Sequence, residues 1–169
     1  VLNSNTGYNS LELNNLSLDG TEDFSIQCWI KTTSDNPTVF LSQKDFNNKG
    51  IIAQKNAGWA LYSSNGTLGW SIGSGKRRIN YERDNGENMP VNDGNWHQIT
   101  ITFSKENSEF RLYYDGHNKA IYKVNFDFSN KNSFRIGTVE NTSNYVNTYS
   151  PDIKNGLKLL QELVDEFNA

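Results

Sequence analysis

Residues 96–115 limit the possible folds more than any other stretch of the chain. Ile99, Ile101 and Phe103 alternate with Gln98, Thr100, Thr102 and Ser104. After Lys105-Glu106-Asn107-Ser108, the residues Phe110, Leu112 and Tyr114 alternate with Arg111, Tyr113 and Asp115. A period of two sends successive side chains to opposite faces, so each run reads as a half-buried strand. The short polar turn joins the two runs into an antiparallel hairpin.

The same alternation recurs along the chain. Phe24, Ile26, Cys28 and Ile30 share one face of a strand, and Ser25, Gln27, Trp29 and Lys31 share the other. Val39 to Lys44 is a second strand, ended by a turn over residues 45–50. Trp59–Tyr62 and Thr67–Ile72 flank Ser63-Ser64-Asn65-Gly66, where Asn-Gly tolerates the positive φ of a tight hairpin. Arg77–Glu82 is a short strand followed by a polar loop to Asn95. Asp115-Gly116 closes the strand at Tyr114, Ile121–Phe126 resumes the pattern, and Phe134–Gly137 is the next candidate. So many short strands predict an all-β fold, two antiparallel sheets packed face to face. The predicted core holds Phe24, Ile26, Ile30, Leu61, Trp70, Ile99, Ile101, Phe103, Leu112 and Ile136. The length of 169 residues fits one domain over 1–169. Nine Phe, eight Tyr and four Trp carry much of its burial.

The pattern changes near the C-terminus. Residues 140–150 form a loop rich in Asn, Ser, Thr and Tyr. Ile153, Leu157, Leu160, Val164 and Phe167 then recur at helical spacing, with Pro151-Asp152 suited to a helix start and Gly156 against it. A helix and a strand both remain open for residues 152–169.

Composition removes several classes. A net charge of −3 and the lack of a long basic stretch argue against nucleic acid as a partner. No apolar run is long enough for a membrane span. A single cysteine, Cys28, allows no intrachain disulfide. Glycosylation sequons at Asn15, Asn65 and Asn141 carry little weight in so Asn-rich a sequence. A bacterial exported protein fits both facts, giving a secreted, periplasmic or cell-surface location. The start at Val1-Leu2-Asn3 reads as processed or excised.

Four segments in order resemble one family. Asp23–Lys31 is similar to the "DFTISAWVK" strand of laminin-G-like, concanavalin A-like domains of bacterial secreted proteins. Asp93–Phe103 resembles their "DGxWHHVAVTF" strand, Phe110–Gly116 their "xRLYVDG" strand, and Phe134–Gly137 their "LRIG" strand. The match spans about residues 10 to 137. The resemblance implies a two-sheet jelly-roll sandwich that works as a non-catalytic carbohydrate-binding or substrate-tethering module of a secreted bacterial enzyme. It implies a covalently attached neighbouring domain. No cofactor is required, although structural calcium is common in such domains. Leu163–Ala169 resembles the first half of the family's closing "GxIDEVRIYNRAL" strand, so the natural polypeptide is expected to continue. Asp165, at the family's "DE" pair, is the one calcium ligand the resemblance suggests.

Catalysis finds little support. Retaining glucanases of this fold class carry an E-x-D-x-E strand that puts carboxylates on one face of a cleft. Glu162-Leu163-Val164-Asp165-Glu166 places its middle carboxylate at the wrong parity, so no catalytic residue is assigned. His97 shares the Ile99 face and reads as a hydrogen-bonded, partly buried core histidine, whereas His117 follows a turn glycine and reads as solvated. Cys28, among Phe24, Ile26 and Ile30, reads as an inert thiol. Gly73-Ser74-Gly75-Lys76-Arg77-Arg78 lacks the spacing of a phosphate loop and reads as a hairpin tip, with Lys76, Arg77 and Arg78 as an alternative anion site.

A sugar-binding surface needs an aromatic face together with amide, hydroxyl or guanidinium groups. The outward side of the 96–115 hairpin supplies Gln98, Thr100, Arg111 and Tyr113. Tyr62 and Asn80 join them if their strands enter the same sheet, Trp29 also points away from the Ile26 face, and Arg78 stands by as a loop candidate. The bland alternative is an ordinary polar sheet face with Trp29 covered. A protein-interaction module with no glycan ligand is therefore the competing function, and a glycoside hydrolase the third.

Overall fold

The computed structural model describes residues 11–13, 15–35, 38–44, 56–64, 66–81 and 89–137. Among them the elements are β1 (Leu11–Leu13), β2 (Phe24–Ile30), β3 (Thr38–Lys44), β4 (Gly58–Ser64), β5 (Thr67–Gly73), β6 (Arg78–Tyr81), β7 (His97–Ser104), β8 (Glu109–Tyr114), β9 (His117–Lys123) and β10 (Phe134–Ile136). Every pairing between them is antiparallel. One sheet has the order β1-β10-β3-β4-β5-β6 and the other β2-β7-β8-β9. The predicted two-sheet sandwich is therefore the observed one. The expected helix or strand over 152–169 lies outside the described residues.

The sheets meet through aromatic side chains. Trp70 of β5 stacks on Phe110 of β8 with centroids 4.9 Å apart, and Trp59 of β4 stacks on Phe24 of β2 at 5.9 Å. Each ring pair contributes roughly 0.5–1.5 kcal/mol beyond the area it buries. Ile30, Leu61, Trp70, Ile99, Ile101, Phe103 and Leu112 are buried as the alternation predicts. Phe24, Ile26 and Ile136 pack on the core cluster but are only half-buried, because they sit on strands near a sheet edge.

Three local features depart from the alternation. First, β4 and β5 are buried on both faces, so Ala60, Thr67 and Ser71 are as inaccessible as Trp59, Leu68 and Trp70. Secondly, Met89 and Val91 are fully buried, although their segment reads as a polar loop. Backbone bonds from Leu68 N to Met89 O (3.0 Å) and from Val91 N to Gly66 O (2.8 Å) fix that segment beside β5. Thirdly, β9 begins directly after the turn. Asp115 (φ 48°) and Gly116 (φ 77°) are both left-handed, the geometry of a two-residue hairpin turn. A register shift then pairs Leu112 with Ala120 and Tyr113 with Asn118, leaving Lys119 as the extra residue. That bulge turns Ile121 outward, where it is exposed.

Candidate functional site

The outer face of the four-stranded sheet follows from strand register. Trp29 pairs with Gln98, Gln27 with Thr100 and Ser25 with Thr102. Thr100 in turn pairs with Tyr113, and Thr102 with Arg111. Ile99, Ile101 and Phe103 fill the core, so these partners lie together on the opposite side. Gln98, Thr100, Arg111 and Tyr113 are thus brought onto one surface, as the parity argument predicts. Trp29 is 58% exposed, so most of its surface faces water. Trp96, two residues before Gln98, is 54% exposed and lies under Lys31 Nζ, 6.0 Å from its ring. Sequence reading missed Trp96 because it precedes the strand proper; extending the Gln98 parity by two residues would have found it.

One carboxylate on this face engages two cations. Arg111 Nε donates to Glu109 Oε1, and Lys123 Nζ lies 3.4 Å from Glu109 Oε2. Hydrogen bonding by Arg111 and Lys123 holds the Glu109 carboxyl below its ordinary value.

The corner carrying Trp96 is fixed by His97. His97 Nδ1 is 2.9 Å from Asp115 Oδ2, and Nε2 is 3.0 Å from Asp93 Oδ1. The protonated imidazole donates to both carboxylates. Burial pulls the His97 pKa down, but the hydrogen bonds to Asp115 and Asp93 outweigh it and raise the pKa overall. Bonds from the Asn95 backbone and side chain, then His97, lower Asp93 to about 2. The His97 ring stacks on Tyr114 at 4.9 Å, and Tyr114 Oη donates to Pro90 O at 2.6 Å. His97 is the hydrogen-bonded core histidine expected, and its two carboxylates are occupied by it. His117 is exposed. Burial pushes the Cys28 thiol up to about 11, in keeping with an inert residue.

Tyr62, Arg78 and Asn80 do not join this surface. Their strands, β4 and β6, belong to the six-stranded sheet. Tyr62 is only 6% exposed, and Asn80 occupies the register position opposite Ser71. The correction has a simple cause: parity fixes which face of a strand a residue takes, but not which sheet the strand enters. Residues 74–77 form the expected hairpin tip, closed by Ser74 N to Arg77 O at 3.0 Å.

The outer side of the six-stranded sheet holds a feature the sequence did not suggest. Lys44, Gly58, Gly73 and Arg78 occupy one transverse row across β3 to β6. Lys44 is 1% exposed, and its Nζ donates to Ser71 Oγ at 2.9 Å. Burial, then the nearby Arg78, pushes its amine well below the ordinary lysine value. Among the described residues, no group of three or more His, Cys, Asp or Glu is placed to hold a metal ion. Asp165, the suggested calcium ligand, lies outside them.

A profile of laminin-G-like sequences, described as the concanavalin A-like lectin/glucanases superfamily, matches residues 5–149. The chain belongs to this superfamily. No curated protein sequence matches it. Among solved structures, domains LG4-5 of the mouse laminin alpha1 chain superpose with a TM-score of 0.55 at 15% identity, covering 78% of this chain and 32% of that one. The botulinum neurotoxin serotype D binding domain gives 0.55 at 23%, covering 78% and 32%. The CBM40 domain of the Ruminococcus gnavus IT-sialidase gives 0.52 at 20%, covering 72% and 66%. The chain thus spans about a third of the first two structures and about two thirds of the last. At these identities the likeness to all three is one of fold.

Proposed function

We propose that this chain is a non-catalytic glycan-binding module, and that its ligand lies on the outer face of the four-stranded sheet. The observation that carries this reading is the exposure of two tryptophans, Trp29 and Trp96, beside Gln98 and Thr100. Large apolar rings facing water on a folded domain mark an interaction surface. Indole faces stack on the apolar side of a pyranose, and the neighbouring amides and hydroxyls meet its hydroxyl groups. Membership of a superfamily of lectins and glucanases supports the assignment. The module is read as tethering a secreted bacterial enzyme to its substrate, through a neighbouring domain on the same polypeptide.

The test is a glycan array probed with the wild-type chain and with Trp29→Ala, Trp96→Ala and the double variant. Single variants should lose binding about tenfold or more, as central aromatic anchors do, and should keep a cooperative melting transition. Wild-type protein that binds no glycan would instead favour a protein-interaction module.

A further inference from the structure

We infer that this face receives an internal stretch of a neutral, linear polysaccharide rather than a terminal sugar. The inference rests on the glycan-binding reading above and narrows it to a ligand class.

The aromatic groups are spread too widely for one sugar. Trp29 lies on β2 and Tyr113 on β8, two strands apart and offset by two residues in register, since Trp29 pairs with Gln98 and Tyr113 with Thr100. With neighbouring strands about 4.8 Å apart and a rise of about 3.4 Å per residue, their Cα atoms stand roughly 12 Å apart. Trp96, four residues from the Thr100 row, stands about 14 Å from Tyr113 by the same spacings. A single pyranose ring cannot contact both ends of that span, whereas two or three linked rings can.

The surface is also open where a terminal sugar would need an end wall. Ser25, Gln27, Trp29, Trp96, Arg111 and Ile121 are all exposed on it. Recognition of a chain end relies on enclosing that end, as pockets that bury most of a ligand do. A cavity of about 460 Å³ lined by Gly20, Lys105, Val124, Phe126 and Asp127 lies at the other end of β7 from Trp96. An open face leaves a polymer free to run past in both directions.

The face's cations Arg111, Lys123 and Lys31 are each held by a protein partner, which favours a neutral polymer. Glu109 engages both Arg111 and Lys123, and Lys123 also donates to Asn107 O at 3.0 Å. Lys31 is placed over the Trp96 ring. Gln27, Gln98, Thr100, Thr102 and Asn118 supply uncharged donors and acceptors that match sugar hydroxyls.

Affinity electrophoresis tests this with gels containing neutral polymers (β-1,3-glucan, β-1,4-glucan, xylan, galactomannan) or acidic ones (polygalacturonate, hyaluronan). Calorimetry follows with one- to six-unit oligosaccharides of whichever polymer retards the protein. A neutral polymer should retard it, affinity should rise at least tenfold from one unit to three, and blocking the non-reducing end should change nothing. Trp29→Ala should flatten that length dependence. Full affinity for a monosaccharide, dependence on a free chain end, or retardation by acidic polymers alone would overturn the inference while leaving glycan binding in place. No retardation by any polymer, together with a blank glycan array, would remove both.

Discussion

The two sheets share one core but treat their outer faces in opposite ways. On the four-stranded sheet, burial alternates residue by residue, as in His97–Ser104, and the outer face carries Trp29 and Trp96 in the open. On the six-stranded sheet, β5 is buried throughout and β4 at every residue but Ser64, and the outer face holds Ala60, Thr67, Ser71 and the amine of Lys44. Alternation signals a sheet with one wet side, whereas continuous burial signals a strand closed on both. The wet side is where a ligand can be met, and that is why the functional reading rests on the smaller sheet.

The contrast breaks first under charge insertion. Thr67→Asp, four residues along β5 from the Ser71 that Lys44 meets, puts a carboxylate into the closed face and should cost about 3–5 kcal/mol in urea denaturation. Thr100→Asp, at an open position, should stay within about 0.5 kcal/mol. Equal costs at the two positions would contradict the division between the faces.

Acid–base behaviour sharpens the comparison. His97→Phe keeps a ring against Tyr114 but removes both carboxylate hydrogen bonds, and should cost roughly 2 kcal/mol near pH 6. The His97 pKa is raised on folding, so its contribution is complete below the ordinary value of 6.5 and is lost as pH rises through the folded value. Asp93, lowered to about 2, contributes above the ordinary 3.8 and loses that contribution as pH falls toward 2. The two together predict a stability plateau between about pH 4 and 6.5. Lys44 works in the opposite sense. Its amine is depressed on folding, so the unfolded chain binds more protons and stability rises with pH toward 10.5. Melting curves across pH should show the fall above neutrality vanish in His97→Phe and the alkaline rise vanish in Lys44→Met. Persistence of either slope in its variant would assign it to other groups. The smallest effect is on the open face itself, where Trp29→Ala should shift stability by about 0.5 kcal/mol while weakening binding about tenfold or more.

How far the sequence carried the account can be seen in particular residues. The hairpin from His97 to Tyr114 was legible in full, because a strand with one wet side writes its geometry as a period of two. The surface grouping of Gln98, Thr100, Arg111 and Tyr113 followed from the same parity. Tyr62 and Asn80 belong to that grouping only if their strands enter the same sheet, and strand order depends on long-range pairing that parity does not encode. Lys44 was invisible as a buried residue, since a lysine at the end of a strand ordinarily reaches water. Ile121 opens a resumed alternation in the sequence, but the bulge at Lys119 reverses the parity around it.

The central claim is that ligand binds the open face of the four-stranded sheet and not the closed face of the other. Nuclear magnetic resonance on ¹⁵N-labelled protein, titrated with a glycan that it retains on an array, tests this directly. The Trp29 and Trp96 indole N–H signals and the Gln98 and Thr100 amides should shift together with a single saturation curve. Shifts confined to Tyr62, Ser71 and Arg78, with the two indoles unmoved, would contradict it.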